Sequence, residues 1–173
     1  MGFLLPKSYV IFKWSVFALA TLLLFFLQYL VLNQISLQNV TPFIYPMLPA
    51  VLASYEGLRR GSVFGLVLGL ICDLLLPAPF YGFFTITFTL IALFAGLIGE
   101  NLLSPGFLCS LSVSGMAMLL TGALRIVIAL LSGDADVSLL LQLLGGETLL
   151  SLPALVVISP LYRVIHRRCA VDY

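Results

Sequence analysis

GSVFGLVLGLICDLLLPAPFYG, residues 61–82, is apolar enough to cross a bilayer until Asp73 interrupts its leucines. Gly61, Gly65, Gly69 and Asp73 recur four residues apart, so on a helix they form one slowly turning stripe. A carboxylate in such a run is costly unless it is paired, hydrogen-bonded or wet. Whether this stretch is a membrane helix decides the fold class, and the rest of the chain supports that reading. Its 173 residues are 62% hydrophobic and 9% charged, whereas ordinary soluble domains are roughly 45–50% apolar and 25% charged. Long apolar runs with short polar breaks extend from one end to the other, leaving no stretch of about 50 residues for a separate soluble domain. Residues 1–173 therefore read as one polytopic membrane domain.

A spanning helix needs about 20 mostly apolar residues, and six runs meet or approach that length. They cover residues 14–32, 41–55, 61–76, 80–98, 107–131 and about 147–165. The first is too long for a signal-peptide core of about 7–15 residues, so it is expected to be retained. The second is short and carries Pro42, Pro46 and Pro49, which in a helix interior remove hydrogen bonds and introduce kinks. Residues 137–144, followed by Gly145 and Gly146, are expected to form a short interfacial helix or an early start to the sixth span.

Basic residues orient the chain. Lys7 and Lys13 precede the first run, Arg59 and Arg60 join the second to the third, and Arg163, Arg167 and Arg168 close the sixth. With six spans these all fall on one side, which the positive-inside rule makes cytoplasmic, while the opposite loops carry Asp134 and Asp136 but no base. The expectation is an all-α integral membrane protein, a six-transmembrane-helix bundle with both termini cytoplasmic. The net charge of +1 gives no sign of nucleic-acid binding.

Several residues stand out against this background. The glycines let another backbone come close, either within this chain or from a partner protein. Asp73 reads as an interfacial acid that reaches headgroup water or caps the Pro77-Ala78-Pro79 turn, or else as a buried anchor for Arg125. Arg125 lies about six residues inside the fifth run, roughly 9 Å deep, and Ala117, Thr121 and Arg125 share a stripe that faces it toward protein. Snorkelling to the headgroups is the alternative. Arg125 is expected to pair with Asp73 or Glu147, which makes these three the intramembrane polar candidates for partner binding. His166 has no acid or cysteine nearby in sequence, so a solvent or headgroup contact is expected, and Glu100 and Asn101 read as wet. The run RVIHRR at 163–168 reads as a basic anchor. Cys72, Cys109 and Cys169 lack metal or redox spacing and read as small core residues. No phosphate loop, metalloprotease motif or nucleophile–base pair occurs, so neither an enzyme nor a cofactor is expected.

The stretch PFIYPMLPAVLASYEGLRRGSVFGLVLGLICDLLLPAPFYGFFTITFTLIALFAG, residues 42–96, resembles the bacterial rod shape-determining membrane protein family MreD. The shared pattern is a proline-containing second span, a short basic loop, a glycine-spaced third span ending in aspartate, a turn with glycine, and a fourth span. Here these are Pro42 to Pro49, Arg59 and Arg60, Gly65, Gly69 and Asp73, and Gly82, which joins the other glycines as a helix-packing or partner-facing residue. The resemblance implies a non-enzymatic scaffold in the bacterial cytoplasmic (inner) membrane that helps control cell shape and peptidoglycan synthesis. It implies MreC as partner, and through it RodA, a class B penicillin-binding transpeptidase and MreB, together with membrane lipid. The six-helix layout is also similar to the substrate-capture subunits of energy-coupling-factor vitamin importers. Capture of a small solute is the alternative function, since Asp73, Arg125 and Glu147 lie at the level where such a pocket would open.

Overall fold

The computed structural model describes residues 7–30, 41–104, 106–133 and 137–168. Leu32, Asp134, Asp136 and Cys169 lie outside the described residues. Among those described there are six α-helices and no strands: α1 Lys7–Leu30, α2 Met47–Glu56, α3 Leu58–Leu75, α4 Phe83–Asn101, α5 Phe107–Leu131 and α6 Val137–Arg168. Four of them, α1, α4, α5 and α6, are long and apolar enough to cross a membrane. The surface agrees with that. Leu19, Leu23, Val63, Leu74, Leu108 and Leu149 are exposed, whereas Thr21, Gln28, Ser110, Thr121 and Ser151 are buried. Apolar outside and polar inside is the arrangement a hydrocarbon solvent favours, because polar side chains then find partners only within the bundle.

At the centre stands α2, buried at every residue from Met47 to Tyr55 and touching α3, α4, α5 and α6. Ten residues rise only about 15 Å, half of a hydrocarbon core of about 30 Å, so the run 41–55 is not one continuous helix. The prolines explain the break. Pro46 occupies the N-cap position and Pro49 falls in the first turn, where backbone N–H groups have no helical acceptor, so neither kinks a helix interior. Before them, the non-helical backbone of residues 42–46 is shielded and hydrogen-bonded by other helices. Gln28 Nε2 donates to the Pro42 carbonyl at 2.6 Å, the Ile44 N–H donates to Gln28 Oε1 at 3.2 Å, and the Phe43 N–H donates to Ser151 Oγ at 2.7 Å. Irregular backbone at membrane depth is tolerated under those conditions.

Of the two readings of residues 137–144, the early start to the sixth helix is the one the structure shows, with no break at Gly145 and Gly146. α6 runs unbroken for 32 residues through both glycines, Pro153 and Pro160. Helical hydrogen bonds stay satisfied within the segment when no water competes for them, which removes much of the cost of glycine in a helix. α1 lies against α6 through Phe17 and Tyr162, whose rings are 5.9 Å apart, and through a 2.8 Å hydrogen bond between the Thr21 and Tyr162 hydroxyls.

Candidate functional site

The glycine stripe is where α3 meets its neighbours. A Cβ on Gly69 would lie 2.5 Å from the Thr85 Cα and 2.7 Å from the Phe84 carbonyl oxygen, and one on Gly65 would lie 2.6 Å from the Phe88 carbonyl oxygen. Gly61 faces Ala53 of α2 in the same manner. From the other side, a Cβ on Gly96 of α4 would lie 2.5 Å from the Leu58 Cα. These three glycines of α3 are therefore engaged inside this chain, against α2 and α4. Gly82 differs: nothing lies within 4 Å of its would-be Cβ, and its φ of +87° marks it as the turn residue that starts α4.

The close approach brings two acids to two helix starts. Asp73, near the C-terminal end of α3, accepts from the Phe84 N–H at 2.9 Å on Oδ1. Its Oδ2 accepts from the Thr85 N–H at 2.9 Å and the Thr85 hydroxyl at 2.5 Å. Glu100, near the C-terminal end of α4, accepts from the Leu58 N–H at 2.8 Å. Each acid sits at the unfavourable negative end of its own helix and answers the positive end, and the orphan N–H groups, of the other. α3 and α4 are thus an antiparallel pair closed at both ends by reciprocal caps. Glu100 is exposed, in line with its expected contact with water, and it has a structural partner as well.

Arg125 goes elsewhere. Its Nη1 lies 3.4 Å from Glu147 Oε2, across α5 and α6, with both side chains partly buried, and its guanidinium sits 4.4 Å from the Phe43 ring centroid. Phe43 stands 6.3 Å from Phe84, whose N–H holds Asp73. Of the two expected partners of Arg125, the structure brings Glu147 to it, while Asp73 is committed to α4. Asp73 and Arg125 are connected only indirectly, through Phe84 and Phe43.

A second cluster gathers at the end of the bundle that carries Lys13, Arg60 and His166, here called the basic end. Its centre is the Glu56 carboxylate, 1% exposed, with Lys13 Nζ at 2.7 Å and Arg60 Nη1 at 3.7 Å from Oε2, and His166 Nδ1 at 2.8 Å from Oε1. This overturns the solvent or headgroup contact expected for His166: its acid comes from α2, 110 residues earlier in the chain. One carboxylate ties α1, α2, α3 and α6 together. Sequence reasoning passed over Glu56, although an acid ending a buried run four residues before Arg60 was the available signal. It also missed Gln28 and Thr21, polar residues seven apart in an apolar helix that both bond inward.

Arg59, Arg163, Arg167 and Arg168 are exposed at the same end. Cys72 and Cys109 are buried with free thiols, and among the described residues no three His, Cys, Asp or Glu side chains are grouped to hold a metal ion. Compared with known proteins, the chain matches no family, no curated protein and no solved structure.

Proposed function

We propose that this chain is a non-enzymatic membrane scaffold of the bacterial cell-elongation machinery, similar in role to MreD. The observation behind this reading is that the stretch resembling that family, residues 42–96, corresponds to one packed unit of α2, α3 and α4 with Gly65, Gly69 and Asp73 at its contacts. In this reading the chain crosses the cytoplasmic membrane six times, with α2 and its preceding non-helical segment forming the second crossing, and keeps both termini in the cytoplasm. MreC is the direct partner, and RodA, a class B penicillin-binding transpeptidase and MreB join through it. With the α3 glycines engaged internally, partner contacts fall to the outward apolar faces, the short loops and the exposed arginines of the basic end.

The experiment is a pull-down of the full chain from its host membrane in mild detergent, together with depletion of the protein in rod-shaped cells. The reading expects an MreC-like protein in the eluate and rounding of the depleted cells. Recovery with an ATPase module and a bound vitamin would replace the scaffold by a solute-capture subunit. Recovery of the chain alone would also refute the reading.

A further inference from the structure

Between α1 and α3 runs a half-open groove of about 640 Å³. Its walls include Leu22, Phe25 and Tyr29 on one side and Phe64, Val67 and Ile71 on the other. Leu22, Tyr29, Val67 and Ile71 are each at least 43% exposed, so the groove is open along its length. On α3 it extends from Phe64 to Leu76, about 18 Å at 1.5 Å per residue. That is close to one leaflet of a hydrocarbon core about 30 Å thick.

Volume and length select the occupant. A helix about 10 Å wide and 30 Å long fills on the order of 2,000 Å³, several times what the groove offers. At roughly 30 Å³ per methylene-sized group, as for a water molecule, the groove takes about twenty such groups, one long acyl chain. The charge at its rim selects the headgroup. Arg60 lies one helical turn before Phe64 on the same face of α3, with Arg59 beside it and Lys13 across on α1. At this end of α1, α2 and α3 the basic Lys13, Arg59 and Arg60 outnumber the acidic Glu56. Glu56 holds Lys13 and His166 at short range and Arg60 at 3.7 Å, and the Arg60 side chain is 44% exposed.

We infer that this groove binds an anionic phospholipid, one acyl chain between α1 and α3 and its phosphate at Arg60 and Arg59. Clustered basic residues at the cytoplasmic ends of membrane helices bind anionic headgroups in this manner. The proposal needs only a bilayer and is independent of any elongation partner.

The test is native mass spectrometry of the delipidated full-length protein titrated with dioleoyl phosphatidylglycerol or dioleoyl phosphatidylcholine. The wild type is expected to bind phosphatidylglycerol about tenfold more tightly, the effect of one or two basic side chains near the surface. Val67→Trp, which fills the groove from an exposed position, removes binding of both lipids, and Leu22→Trp on the facing wall repeats the test if that variant fails to fold. Arg59→Gln with Arg60→Gln removes the preference and keeps the weaker binding. Leu149→Trp, on the exposed face of α6, changes neither. Equal affinity of the wild type for the two lipids, full binding by a folded groove-filled variant, or a polypeptide in the groove that lipid does not displace would each overturn the proposal.

Discussion

Replacing Asp73 by asparagine leaves one oxygen to serve the two N–H groups and one hydroxyl of Phe84 and Thr85 that its carboxylate now receives. Loss of a helix cap costs about 0.5–2 kcal/mol. Arg125 does not share these bonds, so in thermal unfolding in detergent Asp73→Asn and Arg125→Leu are expected to add within about 0.5 kcal/mol. Arg125→Leu and Glu147→Leu should depart from additivity by more than that, since each removes the other's partner. Additivity in the second cycle would mean that the 3.4 Å pair contributes nothing. Glu56, just past the apolar run 41–55, behaves differently because it titrates. Burial pushes its carboxyl up, but hydrogen bonds and charge from His166 and Lys13 outweigh that, and its pKa lies below the ordinary 4.5. A depressed folded pKa gives stability that is present above the unfolded value and lost as pH falls through the folded one. Melting temperatures of the wild type should therefore fall on acidification below about pH 4.5, and Glu56→Gln should lack that part of the slope. Parallel curves for the two proteins would sink this account.

Between elements, the α3 glycines decide how near α4 can come. Gly69→Ala would set a methyl 2.5 Å from the Thr85 Cα and 2.7 Å from the Phe84 carbonyl oxygen, both backbone atoms that cannot turn aside. Forced overpacking costs about 1–3 kcal/mol or more. Gly115→Ala on α5 meets nothing within 4 Å and should be close to neutral, since glycine costs a lipid-embedded helix little. Equal melting temperatures for the two variants would show that the close approach carries no stability. The sequence pattern located these contacts to different degrees. α5 begins and ends with its apolar run, Phe107 to Leu131, because nothing in that run competes with a helix. α2 is harder to delimit, since whether Pro46 and Pro49 break a helix or begin one depends on where its first turn falls. For α6 glycine could not decide between a separate interfacial helix and an early start, because the usual breaking strength of Gly145 and Gly146 belongs to water-exposed backbone. The Arg125–Glu147 pair could be anticipated from depth and facing. Of the Glu56 cluster only the contact with Arg60, four residues on, is local; Lys13 and His166 join it through which helices are neighbours, and local sequence holds no information about that.

For the molecule as a whole, the orientation inferred from its arginines can be checked with its own chemistry. Cys72 and Cys109 are buried at 0% and 1% exposure, so with Cys169 replaced by serine a single added cysteine reports alone. Ser132→Cys, just beyond α5, should react with a membrane-impermeant thiol reagent in intact cells, and Arg168→Cys only after permeabilisation. Labelling of both from outside would require an even number of crossings between them, and labelling of Arg168→Cys alone would mean the reversed orientation. The two helices that fall outside the set long and apolar enough to cross alone are α2, which is short, and α3, which carries Arg59, Arg60 and Asp73. α2 is sheltered by the four helices around it. For α3 the reciprocal caps have a consequence for biogenesis: a nascent α3 leaving the insertion machinery by itself would take Asp73 into lipid with no donor, and α4 would enter with bare N–H groups at its start. The pair is expected to partition into the bilayer as one hairpin. In a glycosylation-site insertion assay α3 alone should insert poorly, α3 followed by α4 efficiently, and Asp73→Leu should release α3 from that dependence. The order in which this protein enters its membrane is then set by an aspartate and the backbone it caps.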